Sequence, residues 1–222
     1  MQEDGLGQRR GEQQAGLRFG PTPASRLAEL EADEIDLLRS EEYNLLALVL
    51  GRAPGRDLLG RLVNLRGDKS ALGSAHIALA QAAAVVDPEA VQREFFELFV
   101  GLGRGELLPY ASYYRTGFLN ERPLAAVRED LGALGIERVP DHQEPEDHIA
   151  ILLEVMAGLA SRQFSANRGA ERRFFERHLK LWAERFFADL EAAQSARFYR
   201  AVGALGRGFM KIEAEAFAMD AQ

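Results

Sequence analysis

Asp87-Pro88-Glu89-Ala90-Val91-Gln92-Arg93-Glu94-Phe95-Phe96-Glu97-Leu98-Phe99-Val100-Gly101 decides what kind of fold this chain adopts. An aspartate before a proline and then an acid is a helix start. The aspartate side chain caps free backbone N–H groups, proline suits the first helical position, and the acid meets the positive end of the helix dipole. Val91, Phe95, Leu98 and Phe99 then recur at the spacing of one helical face, and Gly101 stops the run.

The same period extends in both directions from this stretch. Upstream, Ser40 reads as the N-cap of a helix carrying Leu45, Leu46 and Val49 and ended by Gly51. Leu58, Leu59, Leu62 and Leu65 mark another helix, and residues 73–86 form an alanine-rich one. Downstream, Pro123 opens a helix with Leu124, Val127, Leu131 and Leu134, closed by Gly135. Pro145 starts a further helix, with Asp147 in its first turn and an apolar run from Ile149 to Leu159. Phe175, Leu179, Trp182, Phe186 and Leu190 predict one long amphipathic helix, and Phe198, Val202, Leu205, Phe209 and Ile212 the last. No segment alternates apolar and polar residues, and no Asn-Gly or Asp-Gly hairpin turn occurs from residue 23 onward. The expected fold is all-α: a single globular helical domain of about ten helices over residues 23–222. A Gly-, Gln- and charge-rich disordered tail is expected over 1–22. Composition shifts near 101–122 and 136–147 mark two linkers, expected to face each other across a cleft.

Composition removes several functions. The 222 residues carry a net charge of −7 and no cysteine. Disulfides, thiolate chemistry and Cys-type zinc sites are therefore excluded. The acidic balance argues against nonspecific nucleic-acid binding and suits a soluble protein or one that receives a basic partner. No run is long and apolar enough for membrane insertion. Arg9-Arg10 is followed by Gly11-Glu12-Gln13-Gln14 rather than an apolar region, so it is not an export signal, and the expected location is cytoplasmic.

Few residues suggest chemistry. Gly101-Leu102-Gly103-Arg104-Gly105 follows a helix rather than a strand and has no Lys-Ser or Lys-Thr pair, so it reads as a helix cap and turn, not a phosphate loop. Asp141, His142, Glu144, Glu146, Asp147 and His148 hold metal-ligand residue types, but the two histidines are six apart across a proline and fit no helical ligand pair. A solvated acidic linker is the better reading. Ser112 has no G-x-S-x-G elbow. His76 and His178 lie inside helices as structural residues. No cofactor is implied. Two segments stay open. Pro109-Tyr110-Ala111-Ser112-Tyr113-Tyr114 either lines a groove for an apolar peptide or covers the core. Glu144-Pro145-Glu146-Asp147-His148 is either a structural cap or a recognition point.

Four motifs in order carry a family resemblance: Glu97-Leu98-Phe99-Val100-Gly101, Pro109 to Tyr114, Glu144 to His148, and Phe174-Phe175 with His178-Leu179 and Trp182. From about Tyr43 onward the chain resembles the TorD/DmsD family of redox-enzyme maturation chaperones. The resemblance implies an all-helical, non-enzymatic protein. Its partners would be an apo molybdoenzyme catalytic subunit and that subunit's twin-arginine signal peptide, held back from export until cofactor insertion. Pro145, Asp147 and His148 match the family's signal-binding region, and Leu98, Phe99, Pro109, Tyr110 and Ser112 match the other lip. Phe95 stands where relatives carry a large aromatic. The chain departs from many relatives at Gly101-Leu102, where they have Gly-Pro, and at Gly103 and Tyr110, where several have tryptophan. The stretch Gly103 to Tyr110 resembles members that serve formate dehydrogenases. A guanine nucleotide has been linked to some members. On this reading Glu144, Glu146 and Asp147 attract the arginines, while Phe95, Leu98, Phe99, Tyr110 and Tyr114 take the apolar part. Three or four buried apolar side chains give about 1.5–3 kcal/mol each. Ordering the peptide costs about 2–5 kcal/mol, so micromolar affinity is expected. Monomer and homodimer are both open. The rival readings are a nucleotide- or metal-binding enzyme, and a helical adaptor that binds no signal peptide.

Overall fold

The computed structural model describes residues 23–137, 144–164 and 169–219. The tail expected over 1–22 lies outside them, as do Asp141 and His142. The chain divides into two units at Ile35/Asp36. The described residues of the first unit are the opening part of the helix that begins at Pro23. The core and the candidate site belong to the second.

Among the described residues there are ten α-helices, one π-helical turn and no strand. The helices are α1 (Pro23–Gly51), α2 (Arg56–Leu62), α3 (Ala71–Val85), α4 (Pro88–Phe95), α5 (Ala111–Thr116), α6 (Arg122–Ala133), α7 (Ile149–Ala160), α8 (Ala170–His178), α9 (Ala183–Ala192) and α10 (Phe198–Met219). The π-turn is Phe96–Val100, directly after α4. The fold is all-α, as the periodicity predicts.

Helix α7 is buried on almost every side, with ten of its twelve residues in the core. A helix apolar all round has to sit inside. Helix α10 packs along α9 and also against α3 and α4. Gly203 and Gly206 permit the α9 contact: a Cβ at Gly206 would lie 2.1 Å from the Phe187 ring. The Arg39 guanidinium ties three helices together. It donates from Nε to Glu213 at 2.7 Å and also reaches Glu171, while the Tyr43 hydroxyl donates to Glu213 at 2.6 Å. Burial works against the Arg39 charge, but the hydrogen bond and charge of Glu213 outweigh it and hold the group more firmly protonated.

The Asp87-Pro88 start is observed, with the Asp87 carboxylate accepting from Glu89 N at 3.3 Å. Three local expectations are corrected. Ser40 caps nothing. The good helix formers before it carry α1 straight through, and its hydroxyl donates to the Ala157 carbonyl of α7 at 2.9 Å. The long helix expected from Phe175 to Leu190 breaks into α8 and α9, because the Trp182 indole N–H donates to the freed His178 carbonyl. That turn leaves Leu179 and Trp182 buried and turns Leu181 outward. Finally, α7 begins at Ile149, not Pro145. Pro145 to His148 form a turn, closed by His148 N donating to Pro145 O at 3.0 Å.

Candidate functional site

The π-turn sets the first wall. Six non-glycine residues from Phe95 to Val100, five of them apolar, cannot all face inward on an α-helix. The wider turn buries Leu98 completely and leaves Phe95 and Phe99 half-buried. Those two rings stand 5.0 Å apart and both lie against Tyr199 of α10. Gly101 then reverses the chain at φ +63°. The returning loop hydrogen-bonds back onto the turn, Glu106 N to Glu97 O at 3.0 Å and Leu107 N to Leu98 O at 2.8 Å. Gly105 makes that approach possible, since a Cβ there would meet the Phe99 backbone at 2.5 Å. The glycines serve this chain reversal.

The loop leads into a stitched corner. Pro109–Ser112 and Asp147–Ile149 run past one another. Ala111 N donates to Asp147 O at 3.0 Å and Ile149 N to Pro109 O at 2.8 Å, and Tyr110 and His148 form an isolated antiparallel bridge. The Asp147 carboxylate accepts from Ser112 N at 2.8 Å, so it caps α5 from 35 residues away. His148 caps α7, its Nδ1 accepting from Ala150 N at 3.1 Å. Both caps and both helix starts are thus buried in one place. Asp147 is 1% exposed and Ser112 is 0% exposed. Among the described residues Asp147 Oδ1 and Ser112 Oγ have no hydrogen-bond partner.

What remains on the surface is a smaller set. The Tyr110 ring is half-buried, stacked edge-on to His148 at 5.2 Å, and its hydroxyl donates to the exposed Glu144 carboxylate. Burial and then that carboxylate push the Tyr110 hydroxyl well above the usual phenol range, so it stays a donor. Pro145 is half-buried beside them. Glu146 is buried and held by Arg128 of α6 at 2.9 Å. The two linkers are therefore hydrogen-bonded together through their described parts rather than parted by a cleft.

Tyr114 belongs elsewhere. It packs against Trp182 and Phe186 at 5.3 and 5.8 Å, and its hydroxyl donates to Asp189 of α9 at 3.0 Å. With Tyr113 it lines a separate cavity of about 480 Å³. Of the predicted site residues, the fold brings Pro109, Tyr110, Ser112, Glu144, Pro145, Asp147 and His148 into one corner. Phe95, Leu98 and Phe99 form the neighbouring π-turn wall, and Tyr114 faces α9. Arg128 and Tyr113 are the residues sequence reasoning left out. Tyr113 stood inside the aromatic motif, but nothing in the chain marks Arg128 as the partner of Glu146. Among the described residues no group of three or more His, Cys, Asp or Glu is placed to hold a metal ion, and no helix is long and apolar enough to cross a membrane.

A family model described as nitrate reductase delta subunit matches residues 66–188, more than half of the chain. The chain belongs to that family, which takes in the TorD redox-enzyme maturation chaperones. A chaperone protein TorD of Vibrio cholerae serotype O1 is 35% identical over 127 residues, covering 53% of this chain and 58% of that protein. The TorD of Aliivibrio fischeri is 32% identical over 130 residues, covering 54% and 60%. The chain thus spans a little over half the length of these curated relatives. A crystal structure of an Archaeoglobus fulgidus protein described as a redox enzyme maturation protein superposes with a TM-score of 0.50 at 22% identity, covering 89% of this chain and 99% of that one. That likeness is one of fold.

Proposed function

We propose that this protein is a cytoplasmic chaperone without catalytic activity, which binds an apo molybdoenzyme catalytic subunit through that subunit's twin-arginine leader. The reading draws on the TorD relatives and on one observation above all: the stitched corner. Its buried members, Asp147, Ser112 and His148, are occupied in capping two helices. They hold rigid a surface on which an aromatic ring and an exposed carboxylate stand together, Tyr110 and Glu144. A guanidinium of the leader meets Glu144, and the first apolar residues of the leader lie across Tyr110 and Pro145. Electrostatic attraction governs encounter and register, and ring contact supplies the affinity. Asp147, assigned a direct charge role by the motif, acts here by positioning.

The test is co-expression with an apo formate dehydrogenase catalytic subunit, the client suggested by the Gly103–Tyr110 wording, with and without its leader. The intact subunit should co-purify. Capture should weaken on leader deletion and equally in a Tyr110→Ala/Glu144→Gln variant. Undiminished capture in both cases would remove the leader from the account.

A further inference from the structure

The cavity beside Tyr114 differs in charge from the corner. The 104–108 loop, α5 and α9 wall it, and it holds about 480 Å³. In a chain of net charge −7 it gathers three arginines, Arg104, Arg115 and Arg185. Each is already aimed by a neighbour. Arg104 donates to the Tyr113 hydroxyl at 2.6 Å and lies over that ring at 5.1 Å. Arg185 lies 5.8 Å over Tyr114. Arg115 donates to the Arg177 carbonyl at 3.2 Å.

Two carboxylates share the wall, but neither neutralises Arg104 or Arg115. The Glu106 oxygens accept from Gln194 N at 2.7 Å and Ser195 N at 3.0 Å, ahead of α10. Asp189 accepts from Tyr114 and stands 3.9 Å from Arg185. Among the described residues Arg104 and Arg115 have hydrogen bonds only to a hydroxyl and a carbonyl. Guanidinium forks on aromatic faces, with Leu107 and Leu108 beneath, present donors for carboxylates next to an apolar floor. Arg104, Arg115, Thr116, Gly117 and Arg185 are all exposed, so the site opens outward and a polypeptide crosses it without its ends being enclosed.

We propose that this cavity binds an acidic segment of the client polypeptide, one or two Asp or Glu side chains next to an apolar or aromatic residue. It rests on the reading that the chain holds a client, but it is a second contact, opposite in sign to the corner that meets the basic leader. Having two sites of opposite charge fixes the direction in which one client chain lies across the surface.

The test uses the full chain and two fluorescein-labelled peptides, Asp-Glu-Phe-Asp-Glu-Leu and its amide twin Asn-Gln-Phe-Asn-Gln-Leu, read by anisotropy at low ionic strength. The acidic peptide should bind and the amide twin should not. Arg104→Gln/Arg185→Gln should weaken the acidic peptide about tenfold, in line with the loss of charge-assisted contacts. Thermal melts confirm that the variant is folded, and Arg104→Gln alone, an exposed side chain hydrogen-bonded to the Tyr113 hydroxyl, serves as the second variant. Equal binding of both peptides, or wild-type affinity in both variants, overturns the proposal. So does displacement of the acidic peptide by equimolar inorganic pyrophosphate, which would make this a small-anion site. A twin-arginine peptide titrated into the double variant should bind as it does to the wild type. If that peptide fails to bind even the wild type while the acidic peptide behaves as expected, the leader reading falls and the acidic site stands.

Discussion

Replacing Asp147 with alanine separates scaffold from recognition in the corner. The side chain is 1% exposed, and one oxygen accepts the Ser112 amide at 2.8 Å. Truncation leaves a buried N–H at the start of α5 without a partner. A hydrogen bond to a charged group is worth about 1.5–3 kcal/mol. Part of this is recovered, because the second carboxylate oxygen is buried with no partner and its desolvation cost disappears with it. The net loss is about 2 kcal/mol, and for a domain of this size about 2–4 °C per kcal/mol gives a fall in Tm of about 4–8 °C. Asp147→Asn keeps an acceptor for Ser112 N and should lose about half as much. Glu144→Gln, three residues away and exposed, should leave Tm unchanged. The assay is thermal unfolding followed by far-UV circular dichroism, with urea unfolding as a check. If Asp147→Ala melts within a degree of the wild type, the cap contributes nothing, and the claim that Asp147 acts by positioning is wrong.

Other substitutions probe the frame. Glu94 accepts from Arg197 N, Phe198 N and Tyr199 N at 2.7, 3.1 and 2.7 Å, capping α10 from α4. Glu94→Ala should cost about 3 kcal/mol, seen as a lower urea midpoint with an unchanged m-value. Glu213→Gln leaves Arg39 without its main counter-charge in a buried setting, and a loss of about 3–5 kcal/mol is expected in the same assay. The two helical histidines should respond oppositely to pH. The Glu42 hydrogen bond raises His76 above its ordinary value of 6.5. Its contribution is therefore full below about pH 6.5 and fades as pH rises through the raised folded value. Burial lowers His178 despite its contact with Asp130, so that site loses stability as pH falls below about 6.5. His76→Gln should therefore lower Tm more at pH 5.5 than at pH 8, and His178→Gln should flatten the acid-side decline. Identical pH profiles for wild type and variants would contradict both assignments.

The parts of the fold visible in the sequence are those written locally. The Asp87-Pro88 start and the all-round apolar α7 depend on residues within a few positions of one another. The misread parts depend on distant partners. Ser40 has the residue type of a cap, but its partner Ala157 is 117 residues away. The Phe175–Leu190 stripe keeps helical period across a break, because the break is made by the Trp182 indole turning back to the His178 carbonyl. In the site, the motif order picked out the two segments that the fold brings into one corner, and Tyr110 and Glu144 are joined there by a hydrogen bond. Burial was not legible. Asp147 and Glu146 read as surface charge from their neighbours in the chain, and only the fold shows them spent on Ser112 and Arg128. The cavity was equally hidden, since its arginines come from three segments that no local pattern links.

The most direct test of the central claim is isothermal titration calorimetry of a synthetic twin-arginine leader peptide into the full chain. A 1:1 exothermic isotherm with Kd of about micromolar order, near −8 kcal/mol, is predicted. Tyr110→Ala/Glu144→Gln should weaken it at least tenfold, with a cooperative thermal melt showing that the variant is folded. A wild-type Kd in that double variant, or no binding heat from the wild type at any temperature, would contradict the account.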